Sequence, residues 1–116
     1  MDRFSGAYGN LHGISANEPK IDIKRIKAIR KILPKNVAMV LHGGSGISDD
    51  DFVKAIESGI SIVHINTEIR LAYRKSLQLS LQENPDEVAP YKFFKPSIVA
   101  MERVVTERLK LFNGII

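Results

Sequence analysis

Cysteine and tryptophan are absent from the 116 residues, and five phenylalanines and three tyrosines supply all the aromatic surface. Without cysteine there is no disulfide framework and no thiolate metal site, so any metal has to be held by histidine, carboxylate or carbonyl oxygen. No apolar run approaches the ~20 residues of a membrane-spanning helix, and the opening Met1-Asp2-Arg3-Phe4-Ser5-Gly6 lacks the apolar stretch of an export signal. The expectation from these absences is a soluble, unexported, cytoplasmic chain with no membrane partner. Low-complexity linkers are missing too, and nothing divides the chain into separate domains.

Charge of one sign is only in small excess, 17 Lys+Arg against 13 Asp+Glu for a net +4. The densest basic stretch sets Lys24, Arg25, Lys27, Arg30 and Lys31 between Ile23, Ile26, Ile29 and Ile32. Apolar residues recurring every third position describe an amphipathic helix with a solvated basic face. Aromatic residues are not interleaved with those cations as a single-strand nucleic-acid platform requires, so no nucleic-acid partner is expected.

A strand is predicted over Arg3 to Asn10, where Gly6, Ala7 and Gly9 allow close approach. The isoleucine-periodic helix follows from about Asp22 to Leu33, and Pro34 stops it. Val37 to Leu41 is apolar without alternation, as a parallel strand buried on both faces would be. Ser48, with Asp51 three residues on, opens a helix that reaches Ser58, with Gly59 as terminator. Ile60 to Ile65 is a third apolar run, followed by a long helix from about Glu68 to Gln82, closed by Asn84-Pro85. A last helix begins at Pro96 and carries Ile98, Met101, Val105, Leu109 and Phe112 at helical spacing. Strand and helix alternate three times with short connections, which means an α/β fold with a parallel sheet.

Three polar clusters fall at strand C-terminal ends: Asn10 to Gly13, His42 to Gly46, and His64 to Thr67. In parallel α/β folds that edge binds ligands. His12 and His42 lie one strand–helix unit apart and could converge on a metal, although two histidines do not complete a catalytic site and a loop histidine is more often just hydrogen-bonded. Gly43-Gly44-Ser45-Gly46 leaves backbone N–H groups open to an anion beside a helix N-terminus. Asp49-Asp50-Asp51 reads as the acidic first turn of a helix rather than a metal cluster.

Together these residues resemble the class II, metal-dependent fructose-bisphosphate and tagatose-bisphosphate aldolases. Gly9-Asn10-Leu11-His12-Gly13 is similar to that family's G-N-x-H-G, Leu41 to Gly46 to its L-H-G-G-S-G, and Asn66-Thr67-Glu68-Ile69-Arg70 to its N-T-E-L-R. The resemblance continues through Glu83-Asn84-Pro85 and covers nearly the whole chain. It implies the C-terminal part of a TIM (β/α)8 barrel: the last three βα units over about 1–83, with a C-terminal helical extension over 84–116.

It further implies that His12 and His42 are two of three zinc-ligating histidines. Gly13, Gly43, Gly44 and Ser45 would contact the phosphate of dihydroxyacetone phosphate, and Asn66 and Thr67 would hold substrate further along. Beside Zn²⁺, a monovalent cation such as Na⁺ or K⁺ would sit near Leu11, Gly13 and Ser45. His64 stands where the family usually has an asparagine that hydrogen-bonds the bound ketone or enediolate. Either the imidazole takes over that contact with altered pH dependence, or it is a strand-end histidine without a catalytic role.

The implied reaction is reversible aldol cleavage of fructose 1,6-bisphosphate, or tagatose 1,6-bisphosphate, to dihydroxyacetone phosphate and glyceraldehyde 3-phosphate. The family's third zinc histidine, its proton-transferring aspartate and its mobile-loop base belong to the N-terminal barrel portion, which has no counterpart here. The expectation is therefore a partial active site, inactive as an isolated piece, in an enzyme that forms homo-oligomers. Leu77, Leu81, Val104 and Leu111 are candidates for that interface. The alternative is a non-catalytic remnant or assembly module of the same fold.

Overall fold

A computed structural model describes residues 2–10 and 19–115. The fold is organised around Ala38–Leu41 (β2), whose four side chains are all buried. That strand pairs in parallel on one side with Arg3–Ser5 (β1) and on the other with Ile60–Val63 (β3), giving the order β1-β2-β3. The register beside β3 slips by one residue, Met39 facing Ile60 and Val40 facing Ile62, which leaves Ser61 as an irregularity.

The strand predicted over Arg3 to Asn10 is shorter, because only Arg3–Ser5 pairs and its side chains are exposed rather than buried. Beyond Ser5 the backbone leaves the sheet to dock on the segment before the first helix: the Asp22 N–H donates to the Tyr8 carbonyl at 2.8 Å. Gly9 makes this approach possible. Its φ is +89°, and a Cβ there would lie 2.3 Å from the Lys20 carbonyl oxygen, inside any allowed contact. Likewise the third apolar run ends as strand at Val63, two residues short of Ile65.

Helix Ile23–Ile32 (α1) is capped by the Asp22 carboxylate, which accepts from the Arg25 N–H. Ile26 is buried and Ile23 and Ile29 are packed against the core, but Ile32 is 82% exposed, so the apolar stripe ends one turn early. Lys24, Arg25, Lys27 and Lys31 face solvent. Arg30 departs from the solvated-face reading: its guanidinium donates to the carbonyls of Leu33, Pro34 and Val37, satisfying acceptors left open where Pro34 ends the helix.

Helix Asp49–Glu57 (α2) starts as its sequence dictates, with the Ser48 hydroxyl accepting from the Asp51 N–H at 3.2 Å. Thr67–Glu83 (α3) and Lys95–Phe112 (α5) pack against each other, joined by a single turn, Pro90–Phe93 (α4), too short for a periodic signal. The core gathers Tyr8, Ile21, Ile26, Met39, Leu41, Ile47, Phe52, Ala55 and Ile60 from β2, β3, α1, α2 and the segments between them, with Leu111 and Phe112 of α5 packed against it. Outside it, Leu79, Leu81, Ile98, Val105 and Leu109 leave apolar surface exposed on α3 and α5. Of the interface candidates Leu81 is exposed, whereas Leu77, Val104 and Leu111 are half-buried. Among the described residues no helix is long and apolar enough to cross a membrane.

Candidate active site

The C-terminal ends of β2 and β3 deliver their polar residues to one cavity of about 340 Å³, lined by His42, Gly43, Gly44, Ser45, His64, Asn66 and Thr67. Backbone bonds prolong the parallel ladder past both strands. The His64 N–H donates to the Leu41 carbonyl at 2.9 Å, and the Gly44 N–H donates to the His64 carbonyl at 3.1 Å. The second bond corrects the picture of a loop whose amides all stay open, since the Gly44 N–H is already engaged. Gly43 and Ser45 donate no backbone hydrogen bond among the described residues. At Gly44 a side chain would meet the His64 carbonyl oxygen at 3.1 Å, Ile65 at 3.2 Å and Phe52 at 3.3 Å, which is why the loop turns on a glycine there.

Ser45 is 3% exposed, and its hydroxyl oxygen accepts from the Glu68 N–H at 3.2 Å. One of its two lone pairs is engaged there, and its proton is left to donate. Asn66 caps α3 without a side-chain bond to the helix, so its amide is uncommitted, and Thr67 is the first helical residue. Helix α3 therefore begins at this cavity, and its partial positive end favours an anion there. Asn10 ties the segment after β1 to the end of β2: its side-chain carbonyl accepts from the Tyr8 N–H, and its amide donates to the His42 carbonyl.

The rings of His42 and His64 meet edge-on, their planes at 87°, centroids 4.4 Å apart and Nδ1 atoms separated by 3.0 Å. Among the described residues no group of three or more His, Cys, Asp or Glu side chains gathers around a point. Three consecutive aspartates, Asp49 to Asp51, occupy the first turn of α2, as capping requires. His12 and Gly13, with Leu11, lie outside the described residues. The donor set that is described, two imidazole nitrogens converging on a polar cavity without a thiolate, fits a divalent first-row cation better than a hard, oxygen-seeking one.

Sequence reasoning missed the residue that ties these parts together. Arg108, on α5, donates through Nε to Glu68 at 3.0 Å and through Nη1 to Asp49 at 2.6 Å, and its guanidinium carbon lies 5.3 Å from the centre of the Phe52 ring. Burial works against its charge, yet the bonds to Glu68 and Asp49 win and hold its pKa above the ordinary guanidinium value. One side chain thus fastens the first turns of α2 and α3 beneath the cavity. Arg108→Met is expected to cost about 1–2 kcal/mol, less than a buried pair because Asp49 is largely exposed. Urea denaturation measures it, and an unchanged midpoint would show that the clamp is idle.

A parallel sheet with helices alternating along the chain, and with a glycine–serine loop beside a histidine pair at its strand ends, is the arrangement of an open segment of a parallel α/β barrel. The family model for class-II fructose-bisphosphate aldolases matches residues 1–115, and the chain belongs to that family. It is 34% identical over 114 residues to the 6-phospho-5-dehydro-2-deoxy-D-gluconate aldolase of Bacillus subtilis and 35% identical over 114 residues to the sulfofructosephosphate aldolase of Alkalicoccus urumqiensis. Each comparison covers 98% of this chain and 39% of the relative.

The crystal structure of the YdjI aldolase from Escherichia coli K12 superposes with a TM-score of 0.78 at 33% identity, covering 96% of this chain and 39% of that one. A fructose-1,6-bisphosphate aldolase-like structure from Coccidioides immitis, 22% identical, shares the fold with a TM-score of 0.84, covering 99% of this chain and 39% of that one. The fold is the C-terminal part of a TIM barrel with its helical extension, and the chain spans about 39% of the length of these relatives.

Proposed function

We propose that this chain is the phosphate-binding and metal-binding C-terminal portion of a zinc-dependent ketose-bisphosphate aldolase. The observation that carries the reading is one cavity lined together by His42, the Gly43–Ser45 loop, His64 and the N-terminus of α3. Its substrates in this proposal are fructose 1,6-bisphosphate or tagatose 1,6-bisphosphate, cleaved to dihydroxyacetone phosphate and glyceraldehyde 3-phosphate. A cytoplasmic, homo-oligomeric enzyme is part of the same proposal. The relatives named above act on different phosphorylated or sulfonated sugars, which is consistent with a common anchoring corner and a substrate choice made elsewhere in the barrel.

Here Ser45 donates its hydroxyl proton to a phosphate oxygen, and the amides of Gly43 and Ser45 donate beside it. Asn66 and Thr67 direct polar groups and a helix N-terminus at the same region, with Gly13 contributing from the first loop. Binding energy collected at this remote phosphate orients the carbon chain against the reacting bond. His42, with His12, holds the metal, and a Na⁺ or K⁺ ion accompanies the phosphate near Leu11, Gly13 and Ser45. When bound, the zinc supplies Lewis-acid polarisation of the ketone oxygen. The groups that move protons at the cleaved carbons belong to the N-terminal barrel portion, so residues 1–116 alone are expected to be inactive.

The test is a coupled cleavage assay on the protein at its full encoded length. Cleavage of either bisphosphate, lost on chelation and restored by Zn²⁺, supports the reading, and no cleavage of either in the zinc-loaded protein refutes it. Ser45→Ala is expected to raise KM by about tenfold to a hundredfold with kcat little changed, since a hydrogen bond to a charged group contributes about 1.5–3 kcal/mol. An unchanged KM would remove Ser45 from the phosphate site.

A further inference from the structure

His64 is fixed by its backbone before its ring is considered. Its N–H is held by the Leu41 carbonyl and its own carbonyl by the Gly44 N–H, so the strand ladder sets it directly beside His42. The ring then has one recorded partner among the described residues, the Nδ1 of His42 at 3.0 Å. Side by side at the mouth of the cavity, the two imidazoles present nitrogen to nitrogen.

Such a pair coexists in one of two ways. One nitrogen carries a proton and donates to the other, or both turn lone pairs toward a shared cation. Two nitrogens bound to one tetrahedral Zn²⁺ at 2.0–2.1 Å stand about 3.3–3.4 Å apart, so shared ligation needs the rings to open by only a few tenths of an ångström. A histidine that is itself a ligand gives its remaining N–H to a carboxylate, a backbone carbonyl or a water, and another imidazole is not the usual recipient. The edge-on arrangement of the rings also lets both approach one point without stacking against each other.

We propose that His64 is a metal ligand, its Nδ1 and the Nδ1 of His42 binding the same divalent cation. The inference rests on the metal-dependent reading above and adds one ligand to it, in place of both the enediolate contact and the idle strand-end role that the resemblance left open for His64. It also has a chemical consequence. An imidazole strengthens the preference for zinc, cobalt or nickel over magnesium or manganese, relative to a carboxamide at the same place.

The experiment uses the protein at its full encoded length, stripped by chelator and reloaded with Zn²⁺, as wild type, His64→Asn, His64→Gln and His42→Ala. Zinc affinity is read by competition with a chromophoric chelator, and the number of imidazoles per zinc by X-ray absorption. Both His64 variants are expected to lose one imidazole from the zinc shell and to bind zinc about tenfold more weakly or worse, with circular dichroism unchanged. An unchanged imidazole count overturns the proposal, including the case in which affinity falls but the count does not, because His64 then only orients His42. If His42→Ala also leaves zinc binding intact, the cation is held elsewhere and the placing of the metal at His42 fails, which separates the two results.

Discussion

With the metal site and activity proposed above, replacing His42 by alanine is expected to strip the protein of tightly held metal and to lower kcat/KM for ketose-bisphosphate cleavage by about three orders of magnitude or more. The size follows from chemistry supplied at one atom. Lewis-acid polarisation provides several kcal/mol of charge stabilisation in the transition state, and each 1.36 kcal/mol is tenfold in rate. Folding should not be affected. The bond from the Asn10 amide goes to the His42 backbone carbonyl, which alanine keeps, and the imidazole is only half-buried at the cavity wall. Metal content by elemental analysis and kcat/KM on the same preparation check it. Wild-type metal content in the variant would show that the cation is held elsewhere.

Phe52→Ala is expected to lose about 3–5 kcal/mol of stability, the range for emptying a buried aromatic site. Phe52 has no exposed surface, and its ring lies 5.2 Å from that of Phe112 and under the guanidinium of Arg108. The side chain therefore joins α2 to α5 and underlies Gly44 of the glycine–serine loop at the same time. Little nearby can collapse into the space, because the sheet behind it is fixed by its ladder. Chemical denaturation measures the loss, and Phe52→Leu, which refills most of the volume, should recover more than half of it. A loss below about 1 kcal/mol would mean that the site repacks freely.

What could be read in the residues followed from local physics. Ala38 to Leu41 is apolar throughout because both faces of a central parallel strand are covered, and Ser48 caps α2 with the hydroxyl its sequence offers. The glycine–serine loop was legible as a turn of small residues between a strand end and a helix, and that is where the cavity forms. Errors arose where tertiary context overrode pattern. The strand at Arg3 stops at Ser5 because Tyr8 and Gly9 are recruited by residues 20–22, and Ile32 points to solvent although it fits the helical period. Arg108 was not legible at all, since its partners lie 40 and 59 residues away and nothing near it in sequence marks it. The proximity of His42 and His64 likewise depends on the register of β2 with β3, which composition does not encode.

The reach of Arg108 also bears on how such barrels can be recombined. A seam drawn at residue 83 would look natural to anyone exchanging C-terminal helices between relatives, because α3 ends there. Yet the guanidinium on the far side of that seam holds a carboxylate on each of two helices before it. Positions 49, 68 and 108 therefore have to be exchanged together. A hybrid that takes the arginine from one parent and the acids from another would inherit an anchoring corner whose two helix ends are no longer tied together, even though every loop residue facing the ligand had been preserved.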